Sequence, residues 1–137
     1  MKKKGIYRLV AVVLCVACCN SGEPEALAPV DFGRALVEDS TSFLLDVRKP
    51  EEFAQCRIPG ATLLDVQDSA AFHEGLERLD KSRHYYLYCR GGVRSLKAAC
   101  IMQERGFVVS HLDGGIKAWK EELLEVDSTA TGTEGLE

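Results

Sequence analysis

The stretch Tyr86-Leu87-Tyr88-Cys89-Arg90-Gly91-Gly92-Val93-Arg94-Ser95 decides how this chain is read. An apolar strand ends at a cysteine, passes through a short basic, glycine-rich turn, and opens into a helix. Backbone N–H groups at such a turn, together with the positive end of the helix dipole, stabilise an anionic sulfur, and Arg90 and Arg94 add full charges. The expected product is a reactive thiolate in a pocket shaped for anions.

Residues 84–88 read as a strand. Residues 93–104 form a helix with Val93, Leu96, Ala99 and Cys100 on one face, stopped at Gly106. Upstream, residues 31–38 carry Phe32, Ala35 and Leu36 at helical spacing, and residues 42–47 are a short apolar run suited to a buried strand. Residues 50–55 start on Pro50 as a helical turn, Ile58-Pro59-Gly60 turns the chain, and residues 61–66 give another strand. Asp68 begins a helix that buries Phe72, Leu76 and Leu79. Downstream come a strand at 107–112, a turn at Asp113-Gly114-Gly115 and a closing helix at 116–123. Strands alternating with helices predict an α/β fold, a parallel sheet covered by helices on both faces. Ligands bind such sheets beyond the carboxyl ends of the strands, where Cys89 lies.

The first 17 residues differ in kind. Met1-Lys2-Lys3-Lys4 is a positive start, residues 9–17 form a short apolar run, and small residues and cysteines follow. That run is shorter than the roughly 20 residues a spanning helix needs. The segment resembles a bacterial lipoprotein signal, with Cys18 as the lipidated residue, Cys19 as the alternative acceptor, and Cys15 where such signals usually have Leu. The expected organisation is a signal at 1–17, a lipidated tether at 18–28, one domain at 29–123 and a disordered tail at 124–137. The implied location is outside the cytoplasm, held to a membrane through the lipid on the periplasmic or cell-surface side.

Removing residues 1–17 takes four of the 17 basic residues and none of the 21 acidic ones, leaving 13 against 21, a net charge of −8. That argues against a nucleic-acid partner. Of six cysteines, only Cys56, Cys89 and Cys100 remain in the domain. An odd number at irregular spacing is no disulfide framework, and no Cys/His cluster suggests zinc or another metal.

Three separate stretches make the domain resemble a single-domain rhodanese, a sulfurtransferase-type fold. They are Leu44-Leu45-Asp46-Val47-Arg48 with Glu51-Glu52-Phe53 and Ile58-Pro59-Gly60-Ala61, the loop from Tyr88 to Ser95, and Leu112-Asp113-Gly114-Gly115-Ile116-Lys117-Ala118-Trp119. The resemblance implies thiol chemistry without a cofactor. Cys89 takes sulfane sulfur from a thiosulfate-like donor, holds it as a persulfide, and yields it to cyanide, a thiol or a redox or sulfur-relay protein. It further implies that Arg90, Gly91, Gly92, Val93 and Arg94 cradle the substrate, Arg94 facing the donor or bracing the loop and Arg90 pointing outward. Asp46 and Arg48 would support the site edge, with Ser95 beside them. The chain departs from the family at Cys56-Arg57, where Gly-His is common, and at Gly91, where Ser is frequent. Cys56 is read as neutral drift in preference to a resolving thiol, and Cys100 and Trp119 as core.

Three other functions compete. Related phosphatases place five residues between Cys and Arg, whereas four separate Cys89 from Arg94 and Ser95 occupies the phosphatase arginine position. Sulfur transfer therefore ranks above dephosphorylation, while arsenate reduction on the same fold stays open. A tethered persulfide carrier or interaction module with little small-molecule turnover is the non-enzymatic alternative.

Overall fold

A computed structural model describes residues 22–122 and 124–128 of the 137. The segment expected to be a signal, and Cys18 and Cys19, the expected lipid acceptors, lie outside the described residues. Among those residues, no helix is long and apolar enough to cross a membrane.

The elements run β1 (Glu25–Leu27), α1 (Pro29–Glu38), β2 (Ser42–Asp46), α2 (Pro50–Gln55), β3 (Cys56–Arg57), β4 (Thr62–Leu63), α3 (Ser69–Leu76), β5 (His84–Tyr88), α4 (Val93–Glu104), β6 (Val108–Leu112), α5 (Gly115–Glu121) and β7 (Asp127–Ser128). Five strands form one parallel sheet in the order β1-β6-β5-β2-β4. The sheet is mixed with helices as the strand–helix alternation predicted.

Side-chain alternation along β5 divides the core in two. Tyr85 and Leu87 face one layer with Leu45, Phe72, Leu76, Ala98, Ala99 and Met102, so α3 and α4 cover that face. Tyr86 and Tyr88 face the other, with Phe32, Leu112, Ile116 and Trp119 from α1, β6 and α5. Each large apolar side chain buried this way contributes roughly 1.5–3 kcal/mol. Trp119 belongs to the core, as its place on the closing helix suggested, whereas Cys100 is only partly buried.

The domain is longer at both ends than the 29–123 expected. Glu25–Leu27 is no tether but an edge strand, paired with Ser110, His111 and Leu112, and Ser110 donates to Glu25 Oε2 at 2.7 Å. At the other end, Asp127–Ser128 pairs antiparallel with β3, and Leu124 and Val126 pack on the Trp119 layer. Trp119 Nε1 donates to the Glu125 carbonyl at 2.8 Å. The first five residues of the expected tail are thus partly ordered by contacts remote in sequence. Residues 129–137 lie outside the described residues.

On α4 the buried face is Ser95, Ala98, Ala99 and Met102, and Val93 is 80% exposed. The expected Val93-Leu96-Ala99-Cys100 face is rotated. Small residues at 95, 98 and 99 let the helix sit close on the sheet, and Ser95 Oγ donates back to the Gly92 carbonyl at 2.9 Å.

A thiol cradle at the sheet switch point

β2 and β5 lie side by side, yet the chain leaves β2 toward β4 on one side and leaves β5 toward β6 on the other. Their carboxyl ends therefore frame a crevice, the usual ligand position in an open α/β sheet. Asp46 pairs in register with Tyr88 there, and the Val47 N–H donates to the Tyr88 carbonyl at 3.0 Å. Cys89 follows directly.

The Cys89 residue is 1% exposed, and the Gly92 N–H donates to its Sγ at 3.1 Å. Gly92 has φ +101°, a left-handed conformation that a side chain resists, and a Cβ there would meet the Gly114 nitrogen at 3.3 Å. Gly91 has no such requirement: it is exposed and open space surrounds its missing Cβ. Of the two glycines expected to shape the turn, Gly92 alone needs to be one. Arg90 is exposed, as expected.

Arg94 takes the bracing role. Its Nη1 and Nη2 grip Glu52 Oε2 and Oε1 at 2.6 and 2.8 Å, and Nη1 also donates to Gln67 Oε1 at 3.3 Å. Glu52 meanwhile accepts the Lys49 N–H at the start of α2, at 3.3 Å. One carboxylate thus ties α2 to the base of α4 across the mouth of the site. The hydrogen bonds raise the Arg94 pKa above its ordinary value against the cost of burial, with the Cys89 sulfur also favouring the cation.

The same hydrogen bonds lower Glu52 from an ordinary 4.5 to about 2, against the opposing effect of burial. A carboxylate with a depressed folded pKa stabilises the fold above its unfolded value, and that contribution disappears as pH falls through the folded one. The pair should therefore be intact above about pH 4.5, contributing on the order of 2 kcal/mol, and released toward pH 2. Carbon-detected NMR of the Glu52 carboxyl should titrate near 2 in the wild type and move toward 4.5 in Arg94→Gln. A wild-type midpoint near 4.5 would show that the brace is absent in solution.

Asp46 and Arg48 form a second, buried pair. Arg48 Nε lies 2.9 and 3.0 Å from the two Asp46 oxygens, and its Nη2 also donates to the Cys56 carbonyl at 2.7 Å. Burial disfavours the Arg48 charge, but the hydrogen bonds and attraction of Asp46 outweigh it and raise its pKa. Replacing either partner alone would strand a buried charge. Tyr88, whose ring lies 5.5 Å from the Arg48 guanidinium, accepts the Ile58 N–H on its hydroxyl at 3.1 Å. These bonds set the wall that carries Cys56.

Several participants escaped the sequence reading. Gly115, with φ +62°, lies against the Cys89 and Arg90 backbone, and the Ile116 and Lys117 N–H groups donate to their carbonyls at 2.8 and 3.1 Å. Glu52 was visible only as part of a quoted motif, without its partner. Arg57 does not line the cleft that runs past Cys56: its Nη1 donates to the Phe53 carbonyl at 3.3 Å and its guanidinium covers the Phe53 ring. That cleft, about 390 Å³, is lined by Arg48, Glu52, Gln55, Cys56, Arg90, Ile116, Lys117 and Lys120. Among the described residues, no group of His, Cys, Asp and Glu is arranged to hold a metal ion.

The rhodanese-like domain model matches residues 29–122. A Bacillus subtilis (strain 168) protein, provisionally named a sulfurtransferase, is 37% identical over 84 residues, covering 61% of this chain and 79% of that one. A tRNA uridine(34) hydroxylase of Bradyrhizobium diazoefficiens is 34% identical over 102 residues, covering 72% of this chain but 40% of that longer protein. Among solved structures, a rhodanese-like domain protein from Staphylococcus aureus superposes with a TM-score of 0.64 at 31% identity, covering 76% of this chain and 99% of that one.

Proposed function

This chain belongs to the rhodanese-like domain family, and from that premise we propose that it is a sulfurtransferase working through a Cys89 persulfide. The observation that carries the reading is the cradle itself: a thiol at the carboxyl end of the central strand, its sulfur accepting the Gly92 N–H at the start of a 12-residue helix. The sulfurtransferase name of the Bacillus subtilis relative supports the same class of reaction.

In the first half-reaction the Cys89 thiolate attacks the outer sulfur of thiosulfate. The sulfur–sulfur bond of the donor breaks, sulfite leaves with the electron pair, and an anionic persulfide stays on Cys89. In the second, a nucleophile attacks the outer persulfide sulfur. Cyanide would depart as thiocyanate and a thiolate as a new persulfide, and either regenerates the Cys89 thiolate. Such covalent catalysis divides one transfer into two easier steps. The fixed Gly92 N–H and the helix start favour negative charge on sulfur in both, without rearranging. Arg94 contributes mainly through position, because Glu52 neutralises it.

Incubation with thiosulfate should add about 32 Da, one sulfur atom, to Cys89, and cyanide should remove it. An unchanged mass with thiosulfate and with other small sulfane-sulfur donors would overturn the enzymatic reading in favour of a carrier loaded only by protein.

A further inference from the structure

With Arg94 neutralised by Glu52 and Arg48 by Asp46, the unbalanced positive charge beside Cys89 lies along the neighbouring cleft. Arg90, Lys117 and Lys120 line it, all three exposed. None of the three has a carboxylate within ion-pairing distance among the described residues. Lys120 Nζ instead donates to Cys56 Sγ at 2.9 Å. This concentration of cations stands on a chain whose formal net charge is −4.

The cleft and the thiol share a wall. Arg90 follows Cys89 directly, and the Ile116 and Lys117 N–H groups hold the Cys89 and Arg90 carbonyls. A volume near 390 Å³ falls in the range of small-ligand sites and exceeds what a compact dianion such as thiosulfate fills. Lys117 and Lys120 stand one helical turn apart, with Arg90 on the adjoining loop. Separated charges of that kind suit a ligand with more than one carboxylate.

We propose that this cleft is the acceptor subsite, and that the acceptor is a small thiol carrying two or more carboxylates. The proposal rests on the sulfurtransferase reading above. In the step it serves, the acceptor thiolate attacks the outer sulfur of the Cys89 persulfide. The bond from that sulfur to Cys89 Sγ breaks, a new sulfur–sulfur bond forms on the acceptor, and the electron pair returns to Cys89 as thiolate. No external oxidant or reductant enters. Arg90, Lys117 and Lys120 hold the carboxylates while the thiol reaches over the loop.

The test loads Cys89 with sulfur, then follows its discharge by mercaptosuccinate, 2-mercaptoethanol and cysteamine, with rates expressed per thiolate. Mercaptosuccinate should react about tenfold faster than 2-mercaptoethanol at low ionic strength, a factor that two exposed ion pairs can supply, and cysteamine slowest. Salt should compress the preference. Lys117→Gln/Lys120→Gln should bring the ratio near unity, and Lys117→Arg/Lys120→Arg should keep it. Equal rates across the thiols, a preference that survives the glutamine pair, or a preference shown only by an acidic cysteine-containing peptide would overturn the proposal. A second arm does not depend on sulfur loading. Succinate titrated into the unloaded protein should shift the NMR signals of Arg90, Lys117 and Lys120, and the absence of shifts there counts equally against the subsite. Failure of Cys89 to load, with succinate still binding, would instead count against the sulfurtransferase reading.

Discussion

Cys89→Ser should take up no sulfur at all: thiosulfate should leave its mass unchanged, and sulfur transfer to cyanide should fall by at least about three orders of magnitude. A serine hydroxyl is not ionised near neutral pH, and its oxygen is a poor nucleophile toward sulfane sulfur. The loss is chemical rather than structural. The hydroxyl can still accept the Gly92 N–H that now reaches Sγ at 3.1 Å, and the side chain is nearly the same size in a site only 1% exposed. Thermal unfolding of the variant should therefore stay close to that of the wild type while loading is abolished. A variant that still gains sulfur would place the reactive thiol elsewhere, with Cys56 and Cys100 the other free thiols among the described residues.

Cys89 was legible because the signals that place it are local. An apolar run over residues 84–88 with a basic, glycine-bearing turn after it fixes both the strand end and the helix start. The central sheet was legible for the same reason, since β2, β5 and β6 are each five-residue runs of apolar character. What the sequence hid depends on distant partners. β1, β3 and β7 have two or three residues each, too few to show a period, and exist by pairing with strands far along the chain. The Glu52–Arg94 brace spans 42 residues, so neither residue's immediate neighbours announce it. The orientation of α4 was hidden because Val93 is more apolar than Ser95, although the buried hydroxyl of Ser95 finds the Gly92 carbonyl and the apolar side chain of Val93 is exposed to solvent.

Gly115 shows how far such a remote dependence reaches, and Gly115→Ala should be among the most damaging single-methyl changes in the domain. A Cβ at that position would lie 2.5 Å from the Arg90 carbonyl carbon, the Arg90 oxygen and the Cys89 oxygen. These are backbone atoms of the reactive loop, which cannot rotate aside as the end of a side chain can. The φ of +62° adds a conformational penalty of its own for alanine. Relief requires α5 and the loop to separate, which strains the bonds from the Ile116 and Lys117 N–H groups to the Cys89 and Arg90 carbonyls. A destabilisation of about 3 kcal/mol is expected, which for a domain of this size lowers Tm by roughly 15 °C. Sulfur loading of the remaining folded protein should fall as well, because the atoms displaced are those that position Cys89. Gly91→Ala provides the contrast within the same loop. Open space surrounds its missing Cβ and its φ is not positive, so its stability should stay within about 0.5 kcal/mol of wild type. Thermal melts and mass-detected loading of the two variants side by side separate the explanations. Equal stability would mean that the close backing of the loop by α5 does not hold in solution, whereas a destabilised Gly115→Ala with undiminished loading would mean that the cradle keeps its shape without it.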